Sequence, residues 1–120
     1  MQPKIDATEF GSITIHGEKM DHDVLIRLDG TVHKRKKKLS KSKYGTSHLI
    51  SLAEAEHVYE EGAKSLIIGA GQQGLVRLDD QAQHFLEEKG CQVRLRPTAE
   101  AIQAWNEAAG KVIALFHVTC

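Results

Sequence analysis

The clearest hydrophobic pattern in the chain is a run of three consecutive apolar residues, Leu66, Ile67 and Ile68, of which two are β-branched. A strand without polar alternation is typical of a sheet that is covered by helices on both faces. Residues 111–118 form a second, nearly continuous apolar run and predict another buried strand. We expect the first of these strands to be a central strand of the sheet.

Helical periodicity separates the predicted strands from residue 51 onward. Three helices are predicted, over residues 52–61, about 80–90 and 98–110. Ser51 and Glu54 have the spacing of a capping box, and Thr98 follows Pro97 as the expected cap of the third helix. Strands are predicted over residues 75–78 and, from strict alternation, over 91–96. This alternation of strands and helices predicts crossover units and an α/β sheet.

The N-terminal third has the pattern of short antiparallel strands. Residues 12–16 alternate, and residues 23–28 and 31–33 flank the turn sequence Asp29-Gly30. From residue 34 to residue 47 almost nothing is apolar, so we expect the second hairpin strand to continue into a loop. We therefore divide a single domain, residues 1–120, into an antiparallel β unit (1–35), a basic loop (36–50) and alternating helices and strands (51–120).

Composition fits one globular domain, but its charge is unevenly distributed. The chain has 120 residues, 41% of them hydrophobic, and a formal net charge of zero. Residues 31–50 hold seven basic and no acidic residues, whereas the remainder holds nine basic and sixteen acidic residues. The candidate surface for a partner or an anion comprises Lys34, Arg35, Lys36, Lys37, Lys38 and Lys41.

The alternative for this basic run is a solvated hairpin edge whose lysines discourage edge pairing. Nucleic acid is not favoured as a partner. Tyr44 is the one aromatic residue near the lysines, and the acidic remainder of the chain would repel a duplex.

Three glycines with the spacing Gly69-x-Gly71-x-x-Gly74 follow the first buried strand. This spacing matches the dinucleotide fingerprint, but that fingerprint requires a helix to open directly at the turn, and residues 75–78 intervene. We favour a structural tight turn. The alternative is a site for a small anion or a nucleotide, which could belong to an enzyme. The residues of this site would be Gly69, Gly71, Gly74, Lys43, Ser47, His48 and Thr98.

Other reactive side chains give weaker signals. Ser47 and His48 are adjacent but lack an acid nearby in sequence, so we expect a loop anchor instead of a catalytic triad. His117 is expected to be a hydrogen-bonded core residue. The seven histidines have no metal-ligand spacing, and we expect neither a metal nor a cofactor.

The two cysteines, Cys91 and Cys120, are too few for a disulfide framework. No apolar run approaches the roughly 20 residues that span a bilayer. We therefore expect a cytoplasmic protein without a membrane segment. Packing is the expected role of Cys120, and a reactive thiolate favoured by lysines is the open alternative.

Four motifs in order resemble one known family. They are Ile68-Gly-x-Gly-x-x-Gly74, Thr98-x-x-Ala101-x-x-x-x-Asn106, the segment Phe116-His-Val-Thr-Cys120, and a lysine-rich run before Gly45-Thr-Ser-His48. Together they resemble the Mth938-like family, also called DUF498, over nearly the whole length. The lysine-rich run resembles the archaeal branch in particular.

The resemblance implies a three-layer α/β domain, with a mixed central sheet flanked by helices and an additional small N-terminal antiparallel β unit. Prokaryotic members of this family generally lack an assigned activity. Eukaryotic relatives suggest roles in respiratory complex I assembly and adipocyte differentiation, neither of which needs catalysis. Our leading hypothesis is a non-enzymatic assembly or interaction factor with an unidentified protein partner, with a homo-oligomer as a further possibility.

Overall fold

A five-stranded mixed sheet forms the centre of the computed structural model, which describes residues 2–120. The strands are β1 (Ile5–Glu9), β2 (Ser12–Ile15), β3 (Glu18–Met20), β4 (Val24–Ile26), β5 (Val32–Lys34), β6 (Leu49–Ile50), β7 (Ser65–Ala70), β8 (Arg77–Leu78), β9 (Gln92–Arg96) and β10 (Val112–His117). The central order is β5-β4-β10-β7-β9. Because β10 runs parallel to β7 and antiparallel to β4, the mixed central sheet is confirmed.

Four helices accompany the strands: α1 (Lys38–Tyr44), α2 (Leu52–Val58), α3 (Asp80–Glu88) and α4 (Thr98–Glu107). Leu66 and Ile68 of β7 pack in a core with residues of α2 and α3. Ile67 points to the other face, where α4 and the β1–β2 strands complete a second core. β7 is therefore buried on both faces, as its apolar sequence predicts.

The N-terminal third divides between two sheets. β1, β2 and β3 form a separate three-stranded sheet, whereas the β4–β5 hairpin belongs to the central sheet. The prediction of one antiparallel unit over residues 1–35 is wrong in this respect. β4 is apolar throughout and pairs with residues 114–116 of β10, a partner that lies far along the chain and leaves no local signal.

The predicted basic loop, residues 36–50, is also wrong, because it contains α1 and the short strand β6. α1 has seven residues and lacks an apolar stripe, so periodicity does not reveal it. The helix ends at Gly45, whose φ of 72° is left-handed and whose N–H donates to Lys41 O at 2.7 Å. Within it, Ser40 is fully buried.

Helix caps agree with the sequence in part. Ser51 Oγ accepts from Glu54 N at 3.2 Å, as the capping box predicts. Glu54 does not complete that box, because Ser51 N donates to Ser40 Oγ instead, at 2.9 Å. Thr98 is not the cap of α4 either: Pro97 holds that position, and the Thr98 hydroxyl donates to His117 O at 2.6 Å.

Candidate functional site

The carboxyl ends of β7 and β10 lie side by side at one edge of the central sheet. The two strands are parallel, and Ala70 pairs with His117. The residues that follow each strand, Gly71 and residues 118–120, therefore meet. In open α/β sheets this edge is where ligands usually bind, so we take it as the starting point of the candidate site.

The glycine turn at this edge is filled by the chain itself. A Cβ added to Gly69 would lie 2.5 Å from the Phe116 ring, and one added to Gly71 would lie 2.5 Å from the Cys120 backbone. A Cβ at Gly74 would lie 3.2 Å from Pro97. These glycines admit neighbouring chain segments, which is a sufficient reason for their presence.

The amides of the turn are also engaged within the chain. Gly71 N donates to Thr98 Oγ1 at 2.9 Å, and Gln72 N donates to Thr119 O at 2.7 Å. Gly74 N donates to Gly71 O at 3.1 Å. A small-anion site at this turn stays a prediction, and these hydrogen bonds leave it fewer free donors than an anion cradle uses.

Four of the seven predicted ligand residues come together at this edge, and two of them, Gly71 and His48, contact Cys120. Gly71 and Thr98 are hydrogen-bonded, Gly69 packs nearby, and His48 Nε2 lies 3.6 Å from Cys120 Sγ. The others face elsewhere. Gly74 packs on Pro97, Ser47 O accepts from Arg35 Nη2, and Lys43 Nζ lies 3.2 Å from Gln81 Oε1 at the start of α3.

A buried ionic cluster lies beneath this edge. Arg35 is 4% exposed and Glu54 is 0% exposed. Arg35 donates to both Glu54 carboxylate oxygens, at 2.6 and 2.9 Å, and to Asp23 Oδ2 at 2.9 Å. Ser40 Oγ donates to Glu54 Oε1 at 2.5 Å. The cluster therefore ties the basic segment to α2 and to the start of β4.

His117 extends the cluster to β10. Its Nδ1 lies 2.8 Å from Asp23 Oδ2, and Val118 N donates to Asp23 Oδ1 at 2.9 Å. Burial alone would raise the pKa of Asp23, but the hydrogen bonds from His117 and Val118 and the charges of His117 and Arg35 lower it to about 2. Asp23 is therefore a carboxylate at neutral pH.

Arg35 corrects our assignment of the basic surface. We placed it among solvent-facing residues, yet its guanidinium is buried, and its pKa is raised by Glu54 and Asp23 although burial opposes that shift. The sequence offers one signal: Arg35 is the sole arginine in the run, and a guanidinium suits buried, multidentate pairing better than an ammonium. Of the residues that we predicted for this surface, the exposed ones are Lys34, Lys36, Lys37, Lys38 and Lys41.

We call residues 34–43, with their six exposed lysines, the lysine segment. It runs from the end of β5 through α1. Its backbone is fixed from inside: Arg35 N donates to Asp23 O at 3.0 Å, and Ser40 is buried. The lysines are thus displayed on an ordered scaffold.

Other site types find no support among residues 2–120. This part of the chain has no group of three or more histidine, cysteine, aspartate or glutamate residues placed to hold a metal ion. Nor does it have a helix long and apolar enough to cross a membrane. Every buried side-chain nitrogen and oxygen in the same range has a hydrogen-bond partner.

Comparison with known protein families identifies the family of this chain. The family described as "Protein of unknown function (DUF498/DUF598)" matches residues 5–117. The chain belongs to this family. The Mth938-like resemblance is therefore confirmed, as is its α/β fold with a separate small antiparallel sheet.

Several solved structures are similar to this chain. The conserved hypothetical protein PH1505 from Pyrococcus horikoshii OT3 is 34% identical, with a TM-score of 0.88, over 98% of this chain and 99% of that one. The protein MT938 is 35% identical, with a TM-score of 0.80, over 99% and 100%. A protein from Bordetella parapertussis, 15% identical with a TM-score of 0.76 over 98% and 96%, shares the fold. These descriptions name no activity.

Proposed function

We propose that this DUF498 protein is a non-enzymatic interaction factor whose lysine segment binds an acidic surface of a partner protein. The observation that carries the proposal is the buried anchoring of the segment through Arg35, Asp23 and Glu54. A fixed array loses less conformational entropy on binding than lysines on a mobile loop. Electrostatic complementarity then favours an acidic partner.

The uneven charge supports a protein partner over a nucleic acid. Two carboxylates neutralise Arg35 in the interior, so the segment presents six lysines, whereas the residues outside 31–50 carry a net charge of −7. A long duplex would meet that acidic remainder, whereas a compact acidic protein surface can contact the lysines alone. A second copy of the chain also presents an acidic surface, so self-association through the lysine segment is the competing hypothesis.

The test compares two charge-reversed variants of equal net charge. The segment variant changes Lys36, Lys37, Lys38 and Lys41 to glutamate. The control variant changes four exposed lysines elsewhere to glutamate, namely Lys4, Lys19, Lys64 and Lys111. Binding of a fluorescent decaglutamate peptide is measured by anisotropy at low and physiological salt, and self-association by sedimentation velocity.

We expect the segment variant to lose peptide binding and the control to retain most of it, with affinity falling as salt rises. Equal losses in the two variants would show that net charge, and not this segment, governs binding. Self-association that disappears only in the segment variant would replace the partner with a second copy.

We also propose a cytoplasmic location. Both cysteines are free thiols, one buried and one partly exposed. Unpaired thiols are typical of reducing compartments. Fluorescence microscopy of a tagged chain, with fractionation as a second readout, would test the location directly.

A further inference from the structure

The candidate site contains a thiol and an imidazole in contact. Cys120 Sγ lies 3.6 Å from His48 Nε2, within the range of a sulfur–nitrogen hydrogen bond. Both side chains are partly exposed, so a reagent in solution can reach them. A nucleophile with a base in hydrogen-bond reach is the minimal arrangement for an activated thiol.

The fold holds both partners from several directions. Thr119 O accepts from Gln72 N at 2.7 Å, and the Cys120 backbone packs against Gly71. His48 O accepts from Arg77 N at 2.8 Å, and His48 N donates to Thr46 Oγ1 at 3.1 Å. The contact between thiol and imidazole therefore rests on fixed backbone.

A second imidazole supports the first. The His48 and His117 rings meet edge to face, with centroids 5.3 Å apart and planes at 79°. His117 is itself fixed, because Nδ1 lies 2.8 Å from Asp23 Oδ2 and Nε2 lies 3.0 Å from Thr119 Oγ1. His117 is thus a positioning residue that keeps the His48 ring beside the thiol.

The other cysteine provides an internal contrast. Cys91 is buried in the core between the central sheet and α2 and α3, and burial raises the pKa of its thiol. Buried thiols in apolar surroundings are inert. Only Cys120 combines solvent access with a base among the residues that the structure describes.

We propose that Cys120 and His48 form a thiol–disulfide exchange site for small disulfides. His48 Nε2 accepts the thiol proton, and the Cys120 thiolate attacks one sulfur of the disulfide. The new bond joins Cys120 Sγ to that sulfur as the old sulfur–sulfur bond breaks. The leaving thiolate takes the proton back, so one disulfide and one thiol give one mixed disulfide and one thiol.

This inference is independent of the interaction proposed for the lysine segment. Its test needs no partner protein, so either proposal can fail alone. The probe is glutathione disulfide at pH 7, and the rate of mixed-disulfide formation at each cysteine is measured by quenching, digestion and mass spectrometry.

We expect Cys120 in the folded chain to react about tenfold faster than Cys120 in the chain unfolded with urea. His48 Nε2, 3.6 Å from Cys120 Sγ, removes the thiol proton during attack, and the unfolded chain lacks this assistance. Cys91 should stay reduced in the folded chain. His48→Gln should remove most of the enhancement, whereas His84→Gln, an exposed histidine on α3, should not change the rate.

Equal rates at Cys120 in the folded and unfolded chains would overturn the proposal. So would a folded His48→Gln variant, checked by circular dichroism, that reacts at the wild-type rate. The comparison between folded and unfolded wild-type chain decides the question if His48→Gln does not fold.

Discussion

Arg35 is the buried side chain that anchors the basic segment to the protein interior. Its guanidinium makes four contacts, two with Glu54, one with Asp23 and one with Ser47 O. The ammonium of a lysine has three donors on a flexible stem and cannot reproduce this planar fork. Neighbouring lysines face water, so the run contains one structural and several surface positions.

Replacing Arg35 by lysine tests this distinction. We expect Arg35→Lys to lower the free energy of unfolding by about 3 kcal/mol, because it leaves buried carboxylates incompletely paired. Lys36→Ala, one residue along and exposed, should change it by less than about 0.5 kcal/mol. Urea unfolding followed by circular dichroism measures both. Similar small losses for the two variants would contradict the structural role of Arg35.

Asp23 predicts a specific dependence of stability on acid. Its pKa falls from 3.8 to about 2 in the folded chain, so the unfolded chain binds the proton first as pH is lowered. The contribution of Asp23, about 2 kcal/mol, is fully present above about pH 4 and is lost as pH falls through about 2.

Urea unfolding at pH 7, 4, 3 and 2 should reveal this loss. Asp23→Asn should be less stable than wild type at pH 7, and the difference should shrink toward pH 2. Asp21→Asn, an exposed neighbour, serves as the control. A difference that stays constant over this pH range would exclude Asp23 as the titrating group.

At the scale of elements, the glycine turn and its packing partners act as one unit. Gly71 has a φ of 98°, and the Cys120 backbone occupies the place where a side chain would begin. Gly110, after α4, has a similar φ of 92° but open space around its Cβ position. The two glycines share a left-handed backbone conformation, which is unstrained for glycine, and they differ in packing.

Alanine substitutions at these two glycines separate the cost of a left-handed backbone from the cost of a steric clash. Gly110→Ala should cost about 1 kcal/mol, the penalty of left-handed backbone for alanine. Gly71→Ala should cost at least about 1 kcal/mol more, because its methyl group displaces the Cys120 backbone. Thermal and urea unfolding of both variants measure the difference. Equal losses in the free energy of unfolding would mean that the Cys120 backbone moves aside without an energetic penalty.

Sequence periodicity predicted the elements with strong apolar patterns and missed the others. The β7 and β10 runs and the helices α2, α3 and α4 are confirmed, although α2 ends at Val58 and α4 at Glu107, each earlier than predicted. α1 was missed because its only fully buried residue is Ser40, which contacts Glu54 through a hydrogen bond. A helix held by tertiary polar contacts carries no periodic apolar signal.

The candidate site was predictable only in part for a related reason. The glycines were identified from their place after a buried strand, and His48 and Thr98 from the closeness to that turn that the fold was expected to give them. The contacts of Cys120 with Gly71 and His48 depend on the parallel pairing of β7 with β10, whose paired residues are 47 positions apart. The ionic cluster joins residues 23, 35, 54 and 117 in the same nonlocal way.

At the scale of the whole molecule, stability should be greatest at the centre of the mixed sheet. β7 and β10 each have strands on both sides, whereas β5 and β9 are its edges. Native-state hydrogen exchange should therefore find the slowest amides in β7 and β10, with opening free energies near that of global unfolding. Amides on the outer side of β5 should exchange much faster. Exchange of β10 as rapid as that of β5 would contradict this arrangement.

The position of β10 also has a consequence for synthesis of the chain. Residues 24–26 are translated early, but their sheet partner, residues 114–116, follows almost ninety positions later. At ordinary translation rates this interval is on the order of ten seconds. During that time the apolar strand β4 can pair with β5 but lacks its second sheet neighbour. One edge of β4 in the nascent chain therefore stays unpaired until β10 leaves the ribosome.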